Sequence, residues 1–469
     1  MKVLIKNLGT VREAEIELKP LTVFVGPNDT GKKWTAYTVA AIFGYYGWSE
    51  HKKAYEAGTL SHAYPVLEAA INQLLEEGNA KINLIQFFDE NFDSYINDIS
   101  KLSAQWMSKF MGAGQATFDG MEVQMDLHDV YQNLLRGIRR MPFEEKLSAD
   151  ETGKTLLNAF KEKGEPDICF CTKGSFKNKL PLHTIRNFVT GYVFIFFHIA
   201  LYHWVYYFQS ERTAINWLMM PSGSKQDGNR IGTGKKDSVA FMPYPMDNLI
   251  KIFDKTRDEG SYKDRLNQAK NNKNISNYLE LADLIQQEIL GGSIGFSKPE
   301  PDIAQELAFR PITDDKEADS DALLASSMVR ELSSLVIYLR YTAMRNDLLV
   351  IDEPEMNLQP EAQAKLIEFL SMLVNAGLNI IITTQSQYLV DHLINLMKAA
   401  EQEDPKSISG EFILKTADAF ISKDDVSMYL FEKGTAKDIL NGDGFIDLET
   451  FMGGIPSDPT ASAGVTKGT

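Results

Sequence analysis

The first spacing in this chain that points to chemistry is Gly26-x-x-x-x-Gly31-Lys32. A short apolar run, Leu21 to Val25, precedes it, and a helix-forming stretch, Trp34 to Phe43, follows it. Glycines at those positions let backbone N–H groups surround phosphate oxygens. The start of a helix adds positive potential, and the lysine reaches the outer phosphates. Gly26, Asn28, Thr30, Gly31, Lys32 and Lys33 are therefore the expected phosphate-binding residues. One residue breaks the pattern. The position after the lysine ordinarily carries Ser or Thr, whose hydroxyl ligates Mg2+; here it is Lys33. An ammonium is no ligand for a cation, and it adds a second positive charge. A later Thr-Gly-Lys-Lys at 233–236 has no strand before it, and Asn229 stands where the first glycine belongs, so it reads as a decoy.

A second cluster lies far along the chain. Leu348 to Ile351 is a buried-strand run that ends in Asp352-Glu353-Pro354. In an open parallel sheet, ligands sit beyond the carboxyl ends of the strands. An aspartate there holds Mg2+ through water, and the next glutamate orients or deprotonates an attacking water. Asp352 is thus the expected metal residue and Glu353 the expected catalytic one. Such a run is common by itself. Joined to the glycine loop and to a further strand, Asn379 to Thr384, followed by Gln385, it specifies an ATP-type nucleotide fold with ATP and Mg2+ as the expected cofactors. Cys169-x-Cys171 has no second ligand pair and reads as two thiols rather than a metal site. The seven histidines form no cluster of ligand spacing, and His198 and His203 read as satisfied core residues. Glu211-Arg212 reads equally as an internal ion pair or as a functional element.

These residues must be positioned by an α/β core. Val3 to Ile5, a turn at Asn7-Leu8-Gly9, and the alternation of Glu13, Glu15 and Glu17 with Ala14, Ile16 and Leu18 predict a β-hairpin. Ser326 to Tyr341 and the stretch from Pro360 to Gly377 read as helices with one apolar face. The pattern divides into a first part of the core at 1–45, a mostly helical insertion at 46–180, a second part of the core at 181–452, and a small polar tail at 453–469. Residues 221–237 read as a glycine-rich loop, and 410–440 as an antiparallel appendage.

Composition sets outer bounds. The 469 residues allow two to four compact units, and 44% apolar with 24% charged residues is globular. A net charge of −16 argues against a general nucleic-acid coat, though not against a local basic groove. Two cysteines exclude a disulfide framework. The charged, alternating N-terminus is not that of a secretory signal, and a cytoplasmic location is expected. Gly191 to Phe208 carries no Asp, Glu, Lys or Arg over 18 residues, the short edge of a spanning helix. It is read here as an internal helix or strand, with no membrane contact.

The order of segments resembles a known group. The N-terminal hairpin, GPNDTGKK, a long insertion, QSERTAI, ASSMVREL, LLVIDEPEMNLQP and IIITTQSQYLVDHL are similar to ABC/SMC-like AAA-family ATPases related to the overcoming-lysogenization-defect proteins and RecF. The likeness covers residues 1–45 and roughly 205–440. Many such proteins are ATPase subunits of bacterial anti-phage systems. The resemblance implies an ABC/SMC-like P-loop head that dimerises, or assembles further, around ATP. Ser326 and Ser327 of one copy would contact the γ-phosphate held by the other. Asp352 and Glu353 would be the Walker B pair, Glu355 to Pro360 the loop between subunits, and Gln385 the catalytic switch residue. The sequence departs from the family at Lys33, at Met328 in place of the signature glycine, and at Gln359 and Gln385 in place of histidines. These departures imply slow ATP hydrolysis, or signalling by binding rather than turnover. About 76 residues follow Leu393, too few for the C-terminal nuclease domain of the lysogenization-defect proteins. Asp443-Gly444 and Asp447 read as a turn. The implied role is a sensor or scaffold that controls a separate toxic effector, a nuclease, with a phage component as trigger. The alternatives are a RecF/SMC-like ATPase acting on DNA and a non-hydrolysing nucleotide-binding scaffold.

Overall fold

The computed structural model describes residues 1–113, 118–148, 155–172, 180–210, 243–256, 259–296, 307–312, 320–321 and 327–440. The 221–237 loop, the 233–236 decoy, Glu211-Arg212, Ser326, Asp443-Gly444, Asp447 and the 453–469 tail lie outside these residues.

The fold is α/β. The expected hairpin forms from β1 (Lys2–Leu8) and β2 (Val11–Glu17), with Leu8 opposite Val11 across a tight turn. Next, β3 (Leu21–Val25) enters the middle of a sheet and leads through the glycine loop into α1 (Lys32–Phe43). The nine strands run in the order Glu122–Asp126, β1, β2, Thr435–Asp438, Val426–Glu432, β3, Asn379–Thr384, Leu348–Asp352 and Val205–Phe208. The last five are mutually parallel, so their carboxyl ends share one edge.

Both faces of that parallel part are covered, and its strands read as unbroken apolar runs for that reason. All residues of β3 and of Leu348–Asp352 are buried. Successive side chains still point to opposite faces. Phe24, Leu348, Val350 and Ile381 join one core with α1 and the insertion. Val23, Leu349, Ile351 and Ile382 join another, under the helices Ser327–Tyr341, Pro360–Asn375 and Gln387–Ala400. Leu366, Leu370, Leu373 and Val374 supply the apolar face of Pro360–Asn375, as their spacing predicts.

Two expectations are corrected. The 46–180 insertion is not simply helical. It holds an antiparallel sheet of Asn79–Asn83, Asp167–Thr172, Thr155–Lys161 and Phe143–Ser148, and it lends Glu122–Asp126 to the edge of the main sheet. A 28-residue helix, Leu84–Met111, capped by the Asn83 side chain, packs this unit onto the core. The 410–440 segment contains the expected antiparallel pair, Val426–Glu432 with Thr435–Asp438, but it is not an appendage. Its strand Val426–Glu432 pairs in parallel with β3 at the centre of the sheet, because both its faces are apolar and need cover. The uncharged run at 191–208 is internal, as read, and divides in two. Its first part ends the helix Leu182–Ile199, and its last four residues form the edge strand Val205–Phe208. No described helix is long and apolar enough to cross a membrane.

Candidate functional site

The loop after β3 is shaped by packing from both sides. Gly26 has φ 147° and Gly31 φ 92°. A Cβ at Gly26 would lie 2.4 Å from the Phe431 carbonyl oxygen, and one at Gly31 would lie 2.3 Å from Val11 Cγ2. The two glycines therefore let the sheet and the hairpin press against the loop, besides freeing its N–H groups. Asp29 also sits at positive φ, 61°, which aspartate tolerates better than most residues. The Thr30 hydroxyl donates to the Pro27 carbonyl at 2.9 Å. Lys32 folds back over the loop and donates to the carbonyls of Gly26 (2.7 Å) and Pro27 (2.6 Å). Burial pulls its ammonium below the usual lysine range, opposed by the nearby carboxylates of Glu353, Asp352, Glu355 and Asp29. Among the described residues no side chain caps the N-terminus of α1, so its first N–H groups face an incoming anion.

Strand register carries the carboxylates to the same edge. Asp352 pairs with Thr383, and Thr383 in turn with Phe24 of β3. The Thr383 hydroxyl donates to Asp352 Oδ1 at 2.5 Å. The next residue, Glu353, turns out of the strand with φ 45°, and its N–H donates to the Thr383 carbonyl at 2.9 Å. A positive φ at a glutamate is backbone strain held by its surroundings, a feature that clusters at functional sites. The loop and the two carboxylates line one cavity of about 420 Å3. Asn28, Asp29, Thr30, Gly31, Lys32, Lys33, Asp352, Glu353 and Thr383 line it, together with Thr10, Trp34 and Ser210. The volume suits a small-molecule ligand.

The remaining expected residues are placed differently. Gln385 is exposed and does not line the cavity; its backbone N–H donates to Glu355 Oε1 at 3.1 Å. Glu355 is buried and also accepts from the Thr384 hydroxyl at 2.5 Å, while its Oε2 has no hydrogen-bond partner among the described residues. Burial pushes its carboxyl above the ordinary range, partly opposed by those hydrogen bonds. Glu355 thus ties the segment after Asp352 to the segment after Thr384. Met328, in place of the signature glycine, packs onto the core beneath Ser327–Tyr341. Ser327 is the first residue of that helix. Cys169 and Cys171 are half-buried free thiols whose pKa burial raises, and among the described residues no group of three His, Cys, Asp or Glu is placed to hold a metal. His198 is buried with both ring nitrogens engaged, by Tyr95 and by the Phe43 carbonyl, whereas His203 is half-exposed and pairs with Asp347.

Sequence reasoning missed Asp29 and Thr383. Asp29 was visible as an acid inside a phosphate loop. Thr383 becomes significant only through its register with Asp352.

The residues present do not fit Mg2+ in the expected manner. Mg2+ requires oxygen ligands at about 2.1 Å in near-octahedral array. In loops of this spacing a hydroxyl after the lysine and a strand-end aspartate supply that environment. Here Lys33 Nζ lies 3.0 Å from Asp352 Oδ2, within the Coulomb field a metal would need.

Residues 238–391 match the family described as "AAA domain, putative AbiEii toxin, Type IV TA system", less than half of the chain. That span includes Asp352 and Glu353 but not the glycine loop. No curated protein matches. Among solved structures, an SMC head bound to the C-winged helix domain of ScpA has a TM-score of 0.36 at 10% identity, covering 93% of this chain and 96% of its own. The SMC head domain from Thermotoga maritima has a TM-score of 0.29 at 10% identity, with 93% and 97% covered. A Pyrococcus furiosus SMC head with an extended coiled coil, bound to the C-terminal domain of ScpA, has a TM-score of 0.33 at 10% identity, with 93% and 95% covered. The chain is an α/β protein whose residues 238–391 are similar to AAA domains.

Proposed function

We propose that this chain is a nucleoside-triphosphate-binding switch, with ATP as the ligand. The observation that carries the reading is the single cavity lined by the Gly26–Lys33 loop and by Asp352 and Glu353. The helix N-terminus and Lys32 would bind the phosphates, and Glu353 would lie beside the terminal one. Two copies would close around the nucleotide, each completing the other's site with Ser326 and Ser327. Open and closed states would show different surfaces to a partner, and the partner's differential affinity would transmit the signal. The switch would control a separate toxic effector in anti-phage defence; the AAA-type match, whose description names a putative toxin of a toxin–antitoxin system, supports the link to toxicity alone. Binding rather than turnover is the signalling event in this reading, since the expected Mg2+ environment does not fit.

Light scattering of the purified chain with and without ATP tests it. The mass should double on adding ATP, and Lys32→Ala should stay at the ATP-free mass. Nucleotide binding with no change of mass would remove the dimer switch. Failure to bind would remove the nucleotide reading as well.

A further inference from the structure

We propose that this cavity takes its triphosphate without a divalent cation, the Lys33 ammonium standing where loops of this spacing hold Mg2+. This deepens the triphosphate-binding reading and rests on it.

Placement is the first ground. In the usual arrangement the residue after the loop lysine and the strand-end aspartate approach one cation from two sides. Here those two positions meet each other directly, Lys33 Nζ to Asp352 Oδ2 at 3.0 Å. Both groups are held. Asp352 is 3% exposed, and its other oxygen is taken by the Thr383 hydroxyl. Lys33 Nζ also lies 5.5 Å from the ring centre of Tyr37, one helical turn on, within range of a cation–π contact.

Charge and donors are the second ground. Mg2+ at Asp352 would have to displace the ammonium or share a carboxylate with it, and like charges so close repel. An ammonium has three N–H donors and no acceptor. One serves Asp352, and the side chain remains 39% exposed on the cavity wall, where phosphate oxygens can accept the others. Lys33 supplies one positive charge where Mg2+ supplies two, so affinity is lower than a metal would give but independent of it.

Calorimetric titration of the whole chain with ATP, in EDTA and in excess Mg2+, is the test. The Kd in EDTA should lie within about threefold of that in Mg2+. Lys33→Thr restores the missing hydroxyl. It should bind at least about tenfold more weakly in EDTA and recover on adding Mg2+. Lys33→Met, which keeps the stem without the charge, should weaken binding in both buffers. Circular dichroism establishes that each variant folds; should one fail, the wild-type comparison decides alone. A wild-type Kd that rises tenfold or more in EDTA overturns the metal-free site and leaves triphosphate binding intact. No binding in either buffer overturns both.

Discussion

Asp347 and Asp352 flank one buried strand and are wired in opposite ways. Asp347, at the amino end, is 0% exposed. It accepts from His203 Nδ1 (2.8 Å), from the Tyr338 hydroxyl (2.8 Å) and from the Met344 N–H (2.9 Å). Asp352, at the carboxyl end, meets Thr383 and the half-exposed Lys33 beside a cavity. The first carboxylate is consumed by joining a loop, a helix and an edge-strand turn. The second faces a space that ligand groups can enter. Equal charge and near-equal burial therefore do not mark function; what the remaining lone pairs face does.

Removing each group breaks the comparison at a different point. Asp347→Ala would leave the buried Tyr338 hydroxyl and the part-buried Met344 N–H without this partner. It should cost about 3 kcal/mol of stability, read from urea unfolding. ATP affinity should change little, because the cavity is at the other end of the strand. A loss below about 1 kcal/mol would show that the loop at 343–347 relaxes around the change.

Lys32→Ala acts at the cavity alone. ATP affinity by calorimetry should fall about a hundredfold, with a melting temperature close to wild type. Lys32 makes two hydrogen bonds to loop carbonyls, so a large fall in stability instead would make it a loop brace rather than a phosphate ligand.

Titration sharpens the contrast further. Burial raises the Asp347 carboxyl above its ordinary value, against the opposing pull of His203, Met344 and Tyr338. The unfolded carboxyl therefore ionises first as pH rises. The stabilising contribution of the protonated group is complete below the unfolded value of 3.8 and is lost as pH rises through the folded one. The Asp347→Asn amide does not titrate. Wild type should lose stability relative to that variant as pH rises between those two values. Urea unfolding of both proteins across that window measures it; a difference moving the other way would mean that the His203 pairing outweighs burial.

The sequence revealed the ends of these elements better than their neighbours. The glycine loop, Lys32 and the Asp352-Glu353 pair were legible because each is a local spacing attached to an apolar run. Lys33 was legible as a misfit, but its partner was not, since only the pairing of Leu348–Asp352 with Asn379–Thr384, and of that strand with β3, brings the two together. Strand Val426–Glu432 is buried on both faces, so no alternation separates a central strand from an appendage, and its parallel partner is β3 near the N-terminus. In the insertion, Asn79–Asn83 does alternate between exposed and buried residues, but five residues ahead of a 28-residue helix are a weak signal.

The smallest expected effect is that of Asp352→Asn. The amide oxygen can still accept from Thr383, so the tie between the two strands survives. The lost partner, Lys33, is 39% exposed and can turn to water instead of remaining a buried unpaired charge. A half-exposed ion pair contributes about 1 kcal/mol or less, so the urea midpoint should barely move. Set beside Asp347→Ala, this places the structural weight of the strand at its amino end. A destabilisation as large as that of Asp347→Ala would instead mean that the Lys33–Asp352 pair holds the loop and the sheet together, and that the cavity wall is part of the core.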